Sequence, residues 1–120
     1  MSDGKLGVVE ARFADIIWEH EPLSMADLVR LSEEQLQWKR TTTYTVLKRL
    51  SQRGLFENKN GTVYALIPRD EFYARQSERF IAETFAGSLP AFLNAFASQK
   101  RLSQEEIAEI RKMIDTYEEG

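Results

Sequence analysis

Apolar residues recur at helical spacing through the first half of the chain. Val9, Phe13, Ile16 and Ile17, with His20 one turn on, mark a stripe over residues 8–20, and Pro22 ends it. Ser24 opens a second helix, with Asp27 three residues later as an acidic variant of the capping box. Leu28, Leu31 and Leu36 follow on one side. The next stretch, "WKRTTTYTVLKRL" from Trp38 to Leu50, sets local preference against pattern. Its threonines, tyrosine and valine favour a strand. A period of 3.6, however, gathers Thr43, Val46, Leu47 and Leu50 on one stripe. Strand alternation would group Thr43, Thr45, Leu47 and Arg49, which sorts nothing. Gly54 suits the left-handed residue just past a helix end. The spacing therefore predicts a helix.

Beyond Gly54 the pattern shortens to strands. "LFENK" and "TVYALI" flank Asn60-Gly61, a pair suited to a tight hairpin turn in which both residues need positive φ, and Pro68 closes the second strand. Helix, helix, basic helix and hairpin in that order make a helix-turn-helix with a wing. From Asp70 the helical pattern returns. Phe72, Phe80, Ile81 and Phe85 lead to a break at Gly87-Ser88, then Leu89, Phe92, Leu93 and Phe96 form a stripe. Ser103 with Glu106 is a capping box ahead of Ile107, Ile110, Ile114 and Tyr117. The expected fold is mainly α with a small β-hairpin wing. Residues 1–69 form an N-terminal winged helix-turn-helix, and residues 70–120 a C-terminal helical dimerisation region.

Charge changes the picture more than composition does. The 120-residue chain carries a net charge of −3, yet residues 36–54 hold Lys39, Arg40, Lys48, Arg49 and Arg53 and no acid. Residues 71–120 hold six basic and nine acidic residues, so the whole net negative charge lies there. Such separation points to an anion-binding half and a half with another task. The polar face of the third helix is Thr41, Thr45, Lys48 and Gln52, flanked by Thr42, Tyr44, Arg49 and Arg53. Short hydroxyl side chains edged by bases suit the major groove of double-stranded DNA. Threonine can bond a base edge or phosphate and offer its methyl to thymine, while Lys and Arg neutralise phosphates or read guanine. Four threonines in one helical stretch conflict with helix propensity, as functional sites tend to. The base-reading candidates are Thr41, Thr42, Tyr44 and Thr45. The backbone candidates are Lys39, Arg40, Lys48, Arg49 and Arg53, with Lys59 and Asn60 at the wing tip, where a plain solvated turn is an equal reading. Trp18 and Trp38 read as core residues, the second pinning the helix-turn-helix geometry.

The second half has more apolar surface than three short helices can bury. Phe80, Phe85, Leu89, Phe92, Leu93 and Phe96, continued by Ile107, Ile110 and Ile114, are the candidate interface of a homodimer. Two copies related by a dyad would also read a palindrome that one short helix cannot. The competing reading is a cap folded back on the winged helix.

Catalysis finds little to work with. His20 is the single histidine and reads as structural, no cysteine is present, and no phosphate loop or metal-ligand spacing occurs. The expectation is a chain that is not an enzyme and needs no metal or cofactor. The lack of cysteine, of a signal-like start and of a membrane-length apolar run fits a cytoplasmic protein with no membrane insertion.

The chain resembles the penicillinase-repressor family (BlaI/MecI/CopY type) of bacterial winged-helix repressors over essentially its full length. The likeness rests on "E-x-x-x-x-x-I-I-W" at Glu10 to Trp18, on "W-x-x-x-T-x-x-T-x-L-x-R-L-x-x-x-G" at Trp38 to Gly54, and on "LSQEEIAEIRKMI" near the end. It implies a transcriptional repressor, a homodimer joined through its C-terminal helices on a dyad operator, commonly TACA/TGTA-like. It also puts the DNA-facing positions on Thr41, Thr42, Tyr44 and Thr45, with Arg49 near phosphates. Three departures stand out. Lys39 occupies the usual Ser or Asn cap, so Thr41 becomes the capping candidate of a shorter helix. The Asn-Phe cleavage bond of antibiotic-sensing members becomes Asn94, Ala95, Phe96, and a membrane-sensor protease is the partner that cleavage there would require. The paired Cys-x-Cys motifs of copper sensors are missing. Two rival functions remain: a winged helix docking an acidic protein, and a regulator holding a small molecule among Phe80, Phe85, Phe92 and Phe96.

Overall fold

The computed structural model describes residues 5–117. It divides into two compact units between Ser77 and Glu78, within a helix. The first unit contains helix α1 (Val8–His20), strand β1 (Leu23–Ser24), helix α2 (Met25–Leu36) and helix α3 (Arg40–Gln52). Strands β2 (Phe56–Lys59) and β3 (Thr62–Ala65) and the start of helix α4 (Arg69–Thr84) complete it. The second unit takes the end of α4, helix α5 (Leu89–Gln99) and helix α6 (Gln104–Asp115).

Each N-terminal element ends where local chemistry directs. Ser24 caps α2 by accepting the Asp27 N–H at 3.0 Å, the side-chain bond that orphan helix donors need. Gln37 takes a left-handed conformation at the end of α2 (φ 58°) and turns the chain toward α3. The stripes then meet in one core. Phe13, Ile17, Leu28, Leu50, Phe56 and Val63 are fully buried, and Thr43 and Ser32 join them. Thr43 accounts for one of the four threonines: its hydroxyl donates to the Lys39 carbonyl at 3.4 Å from within the core stripe of α3.

The wing is a three-stranded antiparallel sheet, ordered β1-β3-β2, rather than a hairpin alone. Leu23 pairs with Val63 and Ser24 with Thr62, a pairing too short to announce itself by alternation. Asn60 (φ 55°) and Gly61 (φ 88°) make the anticipated tight turn, and Asn58 Oδ1 accepts the Gly61 N–H at 3.0 Å. At the root of the wing, Trp18 donates Nε1–H to the Ile67 carbonyl at 3.0 Å. Its ring lies 5.3 Å from Phe56, 5.7 Å from Phe72 and 6.0 Å from Tyr73. Trp38 sits 5.1 Å from Phe13, joining the approach to α3 to α1.

Three local expectations change. His20 is exposed rather than part of the apolar face, and its Nδ1–H donates to the Ile16 carbonyl at 2.8 Å. Val9 is likewise exposed, because α1 buries only Phe13, Ala14, Ile16 and Ile17. Helix α3 begins at Arg40 with Lys39 at its cap and no capping side chain, so Thr41 lies inside the first turn and does not cap it.

In the second unit Ala86 (φ 51°) and Gly87 (φ 82°) make the break before α5. Ser88 caps α5 through the Ala91 N–H, and Ser103 with Glu106 forms a reciprocal capping box on α6, both bonds 3.0 Å. Phe80, Phe85 and Phe92 gather edge-to-face, their centroids 5.6 to 6.1 Å apart, and Phe96 adjoins Phe92. No residue of α5 or α6 is buried within the chain.

Candidate nucleic-acid interface

Helix α3 separates its residues cleanly. Thr43, Val46, Leu47 and Leu50 enter the core, while Thr41, Tyr44, Thr45 and Lys48 stand in solvent and Thr42 is half-buried at the margin. Lys39 and Arg40 are exposed at the start of the helix. The Arg40 guanidinium lies 5.4 Å from the Tyr44 ring centroid, and its Nη2 is 3.4 Å from the Tyr44 hydroxyl. This face presents hydroxyls, an aromatic ring and cations with no carboxylate of its own, a surface matched to an anionic, hydrogen-bonding partner.

The remaining cations of α3 are bound into the protein. Arg49 donates Nε–H to Glu10 Oε2 at 3.0 Å and Nη2–H to the same oxygen at 2.5 Å. Arg53, half-buried, donates to the Lys5 carbonyl at 2.8 Å. On the opposite side of α1, Arg12 donates to the Gln35 carbonyl at 2.9 Å and so ties α1 to the end of α2. The other oxygen of Glu10 accepts the Gly7 N–H at 3.1 Å, closing the first turn of α1. Glu10 is held below the usual carboxylate range. The Gly7 N–H is the leading cause, partial burial works against it, and Arg49 and Arg53 add to the lowering.

Lys59 and Asn60 are exposed at the wing turn. Strand β2, which carries Lys59, packs beside α3, so the wing and the threonine helix belong to one scaffold. Sequence patterns did not single out Glu10 as a partner of α3. Its acidic type at the first turn of α1 is explained locally by the helix dipole, and 39 residues separate it from Arg49.

The candidate interface residues of the second unit are only partly covered by its own helices. Phe85, Phe92, Leu93 and Ile110 are half-buried, while Phe80, Leu89, Phe96, Ile107 and Ile114 are exposed, Leu89 by 55% and Ile114 by 61%. Asn94, Ala95 and Phe96 lie inside α5, where their backbone is helical. Among the described residues no acidic or histidine cluster is arranged to hold a metal ion. No single helix there is long and apolar enough to cross a membrane.

A helix-turn-helix backed by a three-stranded wing, followed by a helical region, defines a winged-helix protein. Comparison of sequences narrows the class. A family model described as penicillinase repressor matches residues 6–116, and the chain belongs to that family, whose members are transcriptional repressors. It is similar to the methicillin resistance regulatory protein MecI of Staphylococcus aureus (strain Mu50 / ATCC 700699), with 24% identity over 115 residues, 92% of this chain and 94% of the relative. It is also similar to the penicillinase repressor of Bacillus licheniformis, with 25% identity over 121 residues, 98% of this chain and 91% of that one.

Proposed function

We propose that this chain represses transcription as a cytoplasmic homodimer bound to a dyad operator. Thr41, Thr42, Tyr44 and Thr45 read base edges in the major groove. Lys39, Arg40, Lys48 and Arg49 hold the flanking phosphates, and the Lys59–Asn60 tip touches the adjacent backbone. The observation that carries this reading is the sorting of α3 into an apolar buried stripe and an outer face of hydroxyls and cations. Membership of a repressor family supports it independently. The second copy is supported by α5 and α6, amphipathic helices that bury no residue within their own chain. A dyad would set two α3 helices about one helical turn of DNA apart, roughly 34 Å.

A sensor protease acting around Asn94–Phe96 would need to unwind part of α5, since cleavage requires an extended backbone. Release of the operator would then follow from loss of the joined helices.

A salt titration of binding to a TACA/TGTA dyad duplex and to a scrambled duplex, with the mass of the complex measured alongside, tests the proposal. The expected result is about 10³-fold or greater preference for the dyad with two chains per duplex. Equal and steeply salt-dependent binding to both would reduce the face to a non-specific basic surface for these sequences. No binding to either would remove DNA as the partner of α3.

A further inference from the structure

The contacts of Glu10 go beyond holding a helix end. Its carboxylate divides two tasks between two oxygens: Oε1 fixes the first turn of α1 through Gly7, and Oε2 takes one edge of the Arg49 guanidinium through Nε and Nη2. An arginine gripped along that edge has its direction set, because the guanidinium is planar and its donors form a rigid fork. The Arg49 side chain nevertheless remains 52% exposed, against 22% for Glu10. Its Nη1 edge bonds no group among the described residues, and it points from a position one turn beyond Thr45 on the exposed side of α3. One turn further on, just past the end of α3, Arg53 is tied to the Lys5 carbonyl, so α1 and the segment leading into it hold this end of α3 at two successive turns.

We infer that Glu10 is a positioning residue of the DNA site: it aims the remaining edge of Arg49 at a phosphate and so sets the register in which Thr45 meets the bases. The inference rests on the proposed function and adds to it a residue on a different helix. It has a counter-intuitive signature. Removing an acid beside a DNA-binding face should, by charge alone, tighten binding to any duplex. Loss of a positioning acid does the opposite for the specific site, because an unrestrained Arg49 no longer arrives pre-oriented.

The probe is the duplex that the wild-type chain enriches from a pool with a randomised centre, compared with a scrambled version of it. Glu10→Gln should bind the enriched duplex roughly tenfold more weakly and the scrambled one as well as or better than wild type, with its melting temperature at neutral pH lowered only slightly. Arg49→Ala should weaken binding to both and flatten the dependence of affinity on salt by about one counterion per chain. Arg49→Lys keeps the charge but not the fork, and adding Glu10→Gln to it should cost almost nothing further. Unchanged discrimination in Glu10→Gln would overturn the inference, as would an Arg49→Ala variant with the wild-type salt slope. Proportional loss on both duplexes, together with a large fall in melting temperature, would reduce Glu10 to a structural tie. If the wild-type chain enriches no duplex at all, the repressor reading itself fails, and the inference falls with it.

Discussion

The two units reach compactness by different means. In the first, six large side chains from α1, α2, α3 and the wing are removed completely from solvent, and the long-range bonds of Trp18, Arg12 and Arg53 close it. In the second, three phenylalanines touch edge-to-face and a fourth adjoins them, yet the helices that carry them keep apolar side chains in water. A small unit that buries little gains little hydrophobic stabilisation against the entropy of ordering its chain. The first unit therefore carries its own stability, whereas that of the second depends on what covers it. On the proposed reading the cover is a second copy, which makes the stability of that unit a function of protein concentration.

Phe13→Ala removes a fully buried ring that also packs on Trp38, and should destabilise the first unit by about 3–5 kcal/mol in chemical unfolding, at any protein concentration. A loss below about 1 kcal/mol would mean that the core is far looser than its burial indicates. Ile114→Glu places a charge on the exposed stripe of α6. It should weaken association by about 3 kcal/mol, roughly a hundredfold in dimer dissociation constant by sedimentation, and leave unfolding of the first unit unchanged. A variant that still pairs like wild type would remove α6 from the interface.

Smaller changes sharpen the contrast within the first unit. Trp18→Phe keeps most of the ring contacts but loses the bond to the Ile67 carbonyl, and should cost about 1 kcal/mol in the same unfolding experiment. Glu10 predicts a pH dependence. Its folded-state pKa lies below the ordinary value of 4.5, so its stabilisation is complete above that value and is lost as pH falls through the lower folded-state one. Melting temperature should fall more steeply for wild type than for Glu10→Gln as pH drops below 4.5, and coincident curves would show that the carboxylate contributes nothing. The smallest effect belongs to Ser32, whose buried hydroxyl finds no partner among the described residues. Ser32→Ala should be neutral or stabilising by up to about 1 kcal/mol, and a loss of stability would imply a bonded hydroxyl.

Much of the fold could be read along the chain because its signals are local. The stripe Thr43, Val46, Leu47, Leu50 overrides strand preference since burial outweighs a few tenths of a kcal/mol per residue of propensity, about the scale on which threonine is disfavoured in helices. Asn60-Gly61 announces the wing because few other residues accept positive φ twice in succession. What escaped is non-local. Leu23 and Ser24 become a strand only because β3 offers its edge, and no alternation exists in two residues. The bond from Glu10 to Arg49 spans α1 to α3, so charge counting assigned Arg49 wholly to an outside anion although a carboxylate inside the chain already holds part of it. His20 continued the stripe by spacing yet lies beyond its buried end, where the helix finishes and solvent begins.

The placement of the two tryptophans has a practical result. Trp18 and Trp38 are the only indoles in the chain, and both belong to the first unit, packed on Phe56, Phe72 and Phe13. Indole emission therefore watches the winged helix alone, while far-ultraviolet dichroism sums over the helices of both units. Followed together through one denaturation, the two signals separate the units without any label. Where they diverge on dilution, the difference between the curves would, on the proposed dimer reading, record α5 and α6 losing their cover.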